Sequence, residues 1–147
     1  MIVKTKNSKE TKALGKMLAQ EIRSGLVICL SGELGSGKTT FIQGFLQGLK
    51  IKGPYTSPTF VVLKHYKSKE FPISNFQFPK FRNVYHLDAY RVNAKDIINL
   101  GWEEMIQDEG NIILIEWAER IKKIIPPNCF WINFKWINEN EREIIFK

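Results

Sequence analysis

The chain has 147 residues and a formal net charge of +7; at this length about two-thirds of the unfolded chain's surface can be buried, so one domain over 1–147 is expected without disulfide or metal staples. Its two cysteines, Cys29 and Cys129, sit in apolar strand-like runs with no metal-ligand spacing, which favours reduced core thiols and a cytoplasmic setting over a disulfide or zinc site. No run approaches the ~18 apolar residues of a membrane helix, the first residues lack a signal peptide's apolar segment, and the positive charge comes mainly from scattered lysines instead of one nucleic-acid-binding block.

Residues 2–5 read as a short strand. Asn7-Ser8-Lys9-Glu10 supplies N-capping side chains and a first-turn acid for a helix whose apolar residues Ala13, Leu14, Met17, Leu18 and Ile22 share a face. Leu26-Val27-Ile28-Cys29-Leu30 is a buried-strand pattern, and it delivers Gly32-Glu33-Leu34-Gly35-Ser36-Gly37-Lys38-Thr39, a match to G-x-x-x-x-G-K-[ST]. The spacing has a physical reason. Glycines let successive backbone N–H groups turn inward around a polyphosphate, the lysine reaches the terminal phosphates, and the threonine hydroxyl can ligate magnesium. A helical stripe at Phe41, Ile42, Phe45, Leu46 and Leu49 follows, which points a helix N-terminus at the phosphates. Strand, phosphate loop and helix in this order predict an α/β P-loop nucleotide-binding fold, with a central, mostly parallel sheet, antiparallel edge strands and flanking helices.

Tyr55-Thr56-Ser57-Pro58-Thr59-Phe60 is hydroxyl-rich and extended before proline; it is either a plain turn into the β-branched run at 61–63 or a loop that brings a hydroxyl to the γ-phosphate. Residues 67–82 read as an irregular insertion in a hairpin. Its phenylalanines Phe71, Phe76, Phe78 and Phe81 either pack on themselves or expose an apolar patch for a partner. Asn83 to Arg91 reads as a strand ending in His86, Asp88 and Arg91. Asp88 can orient or deprotonate a water and Arg91 can pair with a phosphate, although a satisfied hydrogen-bond network accounts equally well for the group. Helix is expected over 96–107 despite Gly101. Asn111-Ile112-Ile113-Leu114-Ile115-Glu116 ends an apolar strand on an acid, the layout in which a carboxylate reaches magnesium, so Thr39 and Glu116 are the candidate metal residues. A short basic helix over 117–125 and a hairpin of 129–137 with 142–146 at the sheet's edge complete the chain.

The phosphate loop, Thr56-Ser57-Pro58-Thr59-Phe60, His86-Leu87-Asp88-Ala89-Tyr90-Arg91 and Glu116-Trp117, in this order, resemble the TsaE (YjeE) family, small bacterial ATPases of tRNA N6-threonylcarbamoyladenosine biosynthesis. Leu100-Gly101-Trp102-Glu103-Glu104 is similar to a further stretch of that family. The resemblance implies that Gly32, Glu33, Leu34, Gly35, Ser36, Gly37, Lys38, Thr39 and Thr40 bind the ATP phosphates, that Lys38 neutralises β- and γ-phosphate charge, that Thr39 and Glu116 hold magnesium, and that Asp88 acts near the attacking water. It also implies a switch-like loop containing Ser57 and Thr59, a Trp117 beside the nucleotide, and a base lying between the first helix's start and the late strands, near Ser8 and Lys135. Slow hydrolysis that depends on TsaD and TsaB, with tRNA reached only through that complex and no membrane contact, is the implied activity. Between Tyr66 and Tyr85 the chain departs from the family's shorter hairpin, and an enlarged docking edge is expected there. A small-molecule P-loop kinase and a nucleotide-sensing adaptor would share the same loop. The kinase needs an arginine-bearing lid, for which five unclustered arginines offer little material.

Overall fold

The computed structural model describes residues 1–23, 25–55, 62–67 and 81–147. Seven strands, β1 (Ile2–Thr5), β2 (Leu26–Ser31), β3 (Leu63–Lys67), β4 (Asn83–Asp88), β5 (Asn111–Glu116), β6 (Phe130–Trp136) and β7 (Arg142–Phe146), form one sheet in the order β1-β7-β6-β2-β5-β4-β3. The inner four, β6, β2, β5 and β4, run parallel; β3 on one side and β7 on the other run against them, and β1, antiparallel to β7, returns to their direction. This is the expected sheet, with one correction. The β6–β7 hairpin is not at the edge, because β6 pairs with β2 and β1 covers β7. The chain's start satisfies polar groups that a bare β7 would expose: the Met1 ammonium donates to Phe146 O at 3.1 Å, and Phe146 N donates to Met1 O at 2.9 Å.

Strand alternation divides the core. Ile28, Leu30, Ile112, Leu114, Ile132 and Phe134 meet helices α1 (Ser8–Glu21) and α2 (Lys38–Gly48). Cys29, Ile113 and Ile115 face the other layer, made of α3 (Ala94–Ile98), α4 (Trp102–Gln107) and a 3₁₀ segment, Ala118–Ile124. All of β5 is buried, as its unbroken apolar run requires of a strand covered on both faces. Both cysteines are free thiols; burial pushes the Cys29 thiol up, and neighbouring Cys129 adds to the effect.

Asn7 caps α1 by accepting from Glu10 N at 2.8 Å; of the expected apolar face, Leu14, Leu18 and Ile22 pack on the core, but the most deeply buried positions are others. Thr11, Gly15 and Ala19 are buried, whereas Met17 is 62 % exposed. The cause lies in α2. A Cβ on Gly44 would stand 1.8 Å from Lys12 O, and one on Gly15 would stand 2.1 Å from Phe41 O, so the two backbones touch where side chains are missing. Large apolar residues at 41, 42, 45 and 46 of α2 turn instead to the sheet, with Phe41 packed edge-on against Phe134 at 5.4 Å.

The single helix expected over 96–107 is two. Asn93 and Asp96 form a capping box at the start of α3, and Gly101, at φ 89°, breaks the run before α4. The break turns Trp102 inward, where its Nε1–H donates to Ile124 O at 3.1 Å. The basic helix expected over 117–125 is the 3₁₀ segment, kinked at Ile121, with Trp117 outside it at φ 59°. Phe81 is buried in the α2-side core; Phe71, Phe76 and Phe78, and with them the expected docking edge, lie outside the described residues. Among those described, no helix is long and apolar enough to cross a membrane.

Candidate nucleotide and metal site

The turn from β2 into α2 carries the site. Gly32, Gly35 and Gly37 hold φ of 140°, 75° and 101°, a backbone that only glycine adopts readily, and α2 starts at Gly37 without a side-chain cap. First-turn N–H groups of a helix have no intrahelical acceptor, so these are presented to the cleft in front of the loop. That cleft has a volume of about 440 Å³ and is bordered by residues 34–40, Asp88, Tyr90, Arg91, Glu116, Trp117 and Arg142.

Lys38 is 5 % exposed. Its Nζ donates to Gly32 O at 2.6 Å, Glu33 O at 2.9 Å and Ser36 Oγ at 3.3 Å, and lies 4.1 Å from the centre of the Trp117 ring. Burial pushes the ammonium below the ordinary lysine value, a fall that the carboxylates of Glu116, Glu119, Asp88 and Glu33 oppose. Trp117 reaches this position from its left-handed backbone, and Tyr90 packs against its outer side at 4.8 Å.

Parallel pairing of β2, β5 and β4 brings the acids to the same end of the sheet, with Asp88 and Glu116 opposite each other in register. Thr39 Oγ1 donates to Glu116 Oε1 at 2.6 Å across 77 residues of chain, and His86 Nε2 lies 2.8 Å from Glu116 Oε2. Asp88 is 6 % exposed and accepts from Tyr90 N at 2.9 Å, a local turn that fixes its carboxylate at the cleft wall. A hydroxyl and a carboxylate are hard oxygen donors of the kind magnesium takes, usually one or two from protein with the rest from phosphate and water. Thr39 Oγ1 and the Glu116 carboxylate, 2.6 Å apart, offer two such donors, a number that fits that kind of site.

A smaller cavity of about 170 Å³ adjoins the cleft through Gly37, Thr40 and Arg142, and its wall includes Ser8 at the start of α1. Lys135 is not in either wall; it pairs with Glu143 at 3.3 Å on the neighbouring strand. Ser57 and Thr59 lie outside the described residues. Sequence reasoning missed Arg142, whose Nε–H donates to Gly35 O at 3.0 Å while its NH1 donates to Asn138 O and Glu141 O. No local motif marks that arginine; only the β6–β7 pairing carries it to the phosphate loop. Tyr90 was passed over as part of a longer motif.

A phosphate loop between a central parallel strand and a buried helix, with an acid closing the neighbouring strand, defines a P-loop α/β protein. The family profile of "Threonylcarbamoyl adenosine biosynthesis protein TsaE" matches residues 5–144, and the chain belongs to that family. It is 37 % identical over 143 residues to the Bacillus subtilis (strain 168) protein named tRNA threonylcarbamoyladenosine biosynthesis protein TsaE, covering 97 % of this chain and 82 % of the relative. The Rickettsia prowazekii protein of the same name is 39 % identical over 138 residues, with 92 % and 87 % covered. Among solved structures, the crystal structure of Bacillus subtilis YdiB superposes with a TM-score of 0.77 at 34 % identity, over 99 % of this chain and 83 % of that one.

Proposed function

We propose that this chain binds ATP with magnesium and hydrolyses it slowly in the cytoplasm, as a single-domain component of the tRNA N6-threonylcarbamoyladenosine modification machinery that works with TsaD and TsaB. Family membership supports the pathway. The observation that carries the chemistry is the Thr39–Glu116 hydrogen bond, which joins the phosphate loop to the acid of β5 at the mouth of the cleft. Thr39 and Glu116 would hold magnesium, whose bound charge offsets that of the β- and γ-phosphates.

The chain's own residues do the rest. Backbone N–H groups of the loop and of the α2 N-terminus bind the phosphates, and Lys38 exchanges a carbonyl acceptor for a phosphoryl oxygen. Asp88, held at the cleft wall, orients the attacking water. The base occupies the smaller cavity beside Ser8, with Trp117 flanking the phosphates. Phosphoryl transfer to water depends on alignment and charge more than on covalent catalysis, so this small set suffices.

The test is phosphate release from ATP and magnesium, measured alone and with TsaD and TsaB. Release that rises with both partners and falls by about 10²-fold in Asp88→Ala is expected. Binding without release, or phosphate appearing on an added metabolite, would overturn the reading. Arg142 adds a binding prediction. Removing its charged hydrogen bond from Gly35 O frees the outer side of the loop, so Arg142→Ala should weaken ADP binding by about tenfold in a fluorescence titration.

A further inference from the structure

Glu116 poses a mechanical problem that Asp, the shorter acid usual at the end of this strand, does not. Its extra methylene adds a torsion, and fixing a glutamate costs rotamer freedom. Something must choose which carboxylate oxygen meets Thr39. His86 lies on the adjacent strand, opposite Leu114 in register, and so on the same face as Glu116 and two residues behind it. The imidazole is 1 % exposed and Glu116 is 3 % exposed, so neither competes with bulk water for the other. An ionised carboxylate only accepts, which puts the ring proton on Nε2 and the Nε2–H on Glu116 Oε2 at 2.8 Å. His86 Nδ1 is buried without a partner among the described residues, and a bare lone pair is the less costly atom to leave so. The result is a chain of three side chains from three elements: His86 holds Oε2, and Oε1 is left to Thr39 at 2.6 Å.

We infer that His86 is a positioning residue that fixes the Glu116 carboxylate for the cation and for Thr39, without touching nucleotide itself. The inference rests on the magnesium-nucleotide reading above. Partners that orient a metal-binding carboxylate are worth about 10–100-fold in metal affinity.

The experiment measures affinity for a fluorescent ADP with and without magnesium in wild type, His86→Ala and His86→Gln, with a thermal melt of each. Wild type is expected to bind more tightly with magnesium. His86→Ala should lose about tenfold of that increment and keep its magnesium-free affinity. His86→Gln, whose side-chain amide can donate to the same oxygen, should recover most of the increment. An increment unchanged in His86→Ala overturns the positioning role. So does an equal loss with and without magnesium, which marks a merely structural residue, or a folded His86→Gln that behaves like His86→Ala. Should His86→Ala not fold, His86→Asn, whose amide is too short to reach, takes its place in the comparison with His86→Gln. A wild type with no increment overturns the parent reading and this one together, a result distinct from all the others.

Discussion

Lys38→Met is expected to lower ATP hydrolysis by at least about 10²-fold while leaving the folded chain close to wild-type stability at neutral pH, because the lysine's role in catalysis and its cost to the fold have opposite signs. Its ammonium is almost fully buried, and the loss of solvent outweighs the four carboxylates around it, so the charged form is disfavoured in the native state. Methionine fills a similar volume without a charge, although Gly32 O and Glu33 O lose a donor. The sign of the pH dependence follows. Between the lowered native value and the ordinary 10.5, the unfolded chain holds the proton more firmly than the native one, so wild-type stability gains from this residue as pH rises through that window. The melting temperature of wild type minus that of Lys38→Met should therefore increase across the alkaline range. Taking the difference removes the contribution of Tyr55 and Tyr66, whose burial raises their values and pulls the other way in both proteins. Hydrolysis within threefold of wild type, or a difference that shrinks with pH, would contradict this account.

Features carried by local spacing were legible in the sequence. The phosphate loop needs glycine at fixed offsets and a lysine and hydroxyl immediately after them, and β5 needs an apolar run ending in an acid; both stand where the pattern placed them. What escaped was set by residues distant in sequence. The buried face of α1 was only partly visible to hydrophobic periodicity: Leu14, Leu18 and Ile22 pack on the core as the stripe placed them, but contact with α2 selects small residues, and Thr11, Gly15 and Ala19 carry little apolar signal where Met17 carries much. Gly101 was read as tolerated within a helix, yet its left-handed backbone is what turns Trp102 into the core. Within the site, His86 stood in a recognised motif, but its role depends on the register of β4 with β5. Arg142 depends on a strand pairing more than a hundred residues from the loop it braces, |i−j| = 107. Lys135 likewise depends on register, which sets it opposite Glu143, the partner of its side chain.

Gly44→Ala is the substitution on which helix propensity and packing disagree most sharply. Propensity alone favours alanine in a helix interior by about 0.8–1.0 kcal/mol, which predicts stabilisation. Packing predicts the reverse: the new Cβ would meet Lys12 O at 1.8 Å and the Lys12 carbonyl carbon at 2.6 Å, backbone atoms that move only with the whole of α1. Forcing two packed helices apart costs about 3 kcal/mol, so packing wins and the net loss is about 2 kcal/mol. For a chain of this size that corresponds to a fall in melting temperature of roughly 4–8 °C. The effect should reach the site, since α1 begins at Ser8 in the wall of the smaller cavity while α2 begins in the phosphate loop. Separation of the helices therefore widens that cavity, and nucleotide affinity should fall together with stability. Gln47→Ala, on the exposed side of the same helix, is the control and should leave both within error. Were Gly44→Ala to melt at or above the wild-type temperature, the two helices would be free to slide, and the glycine contact would no longer explain why α1 buries its small residues in preference to its large ones.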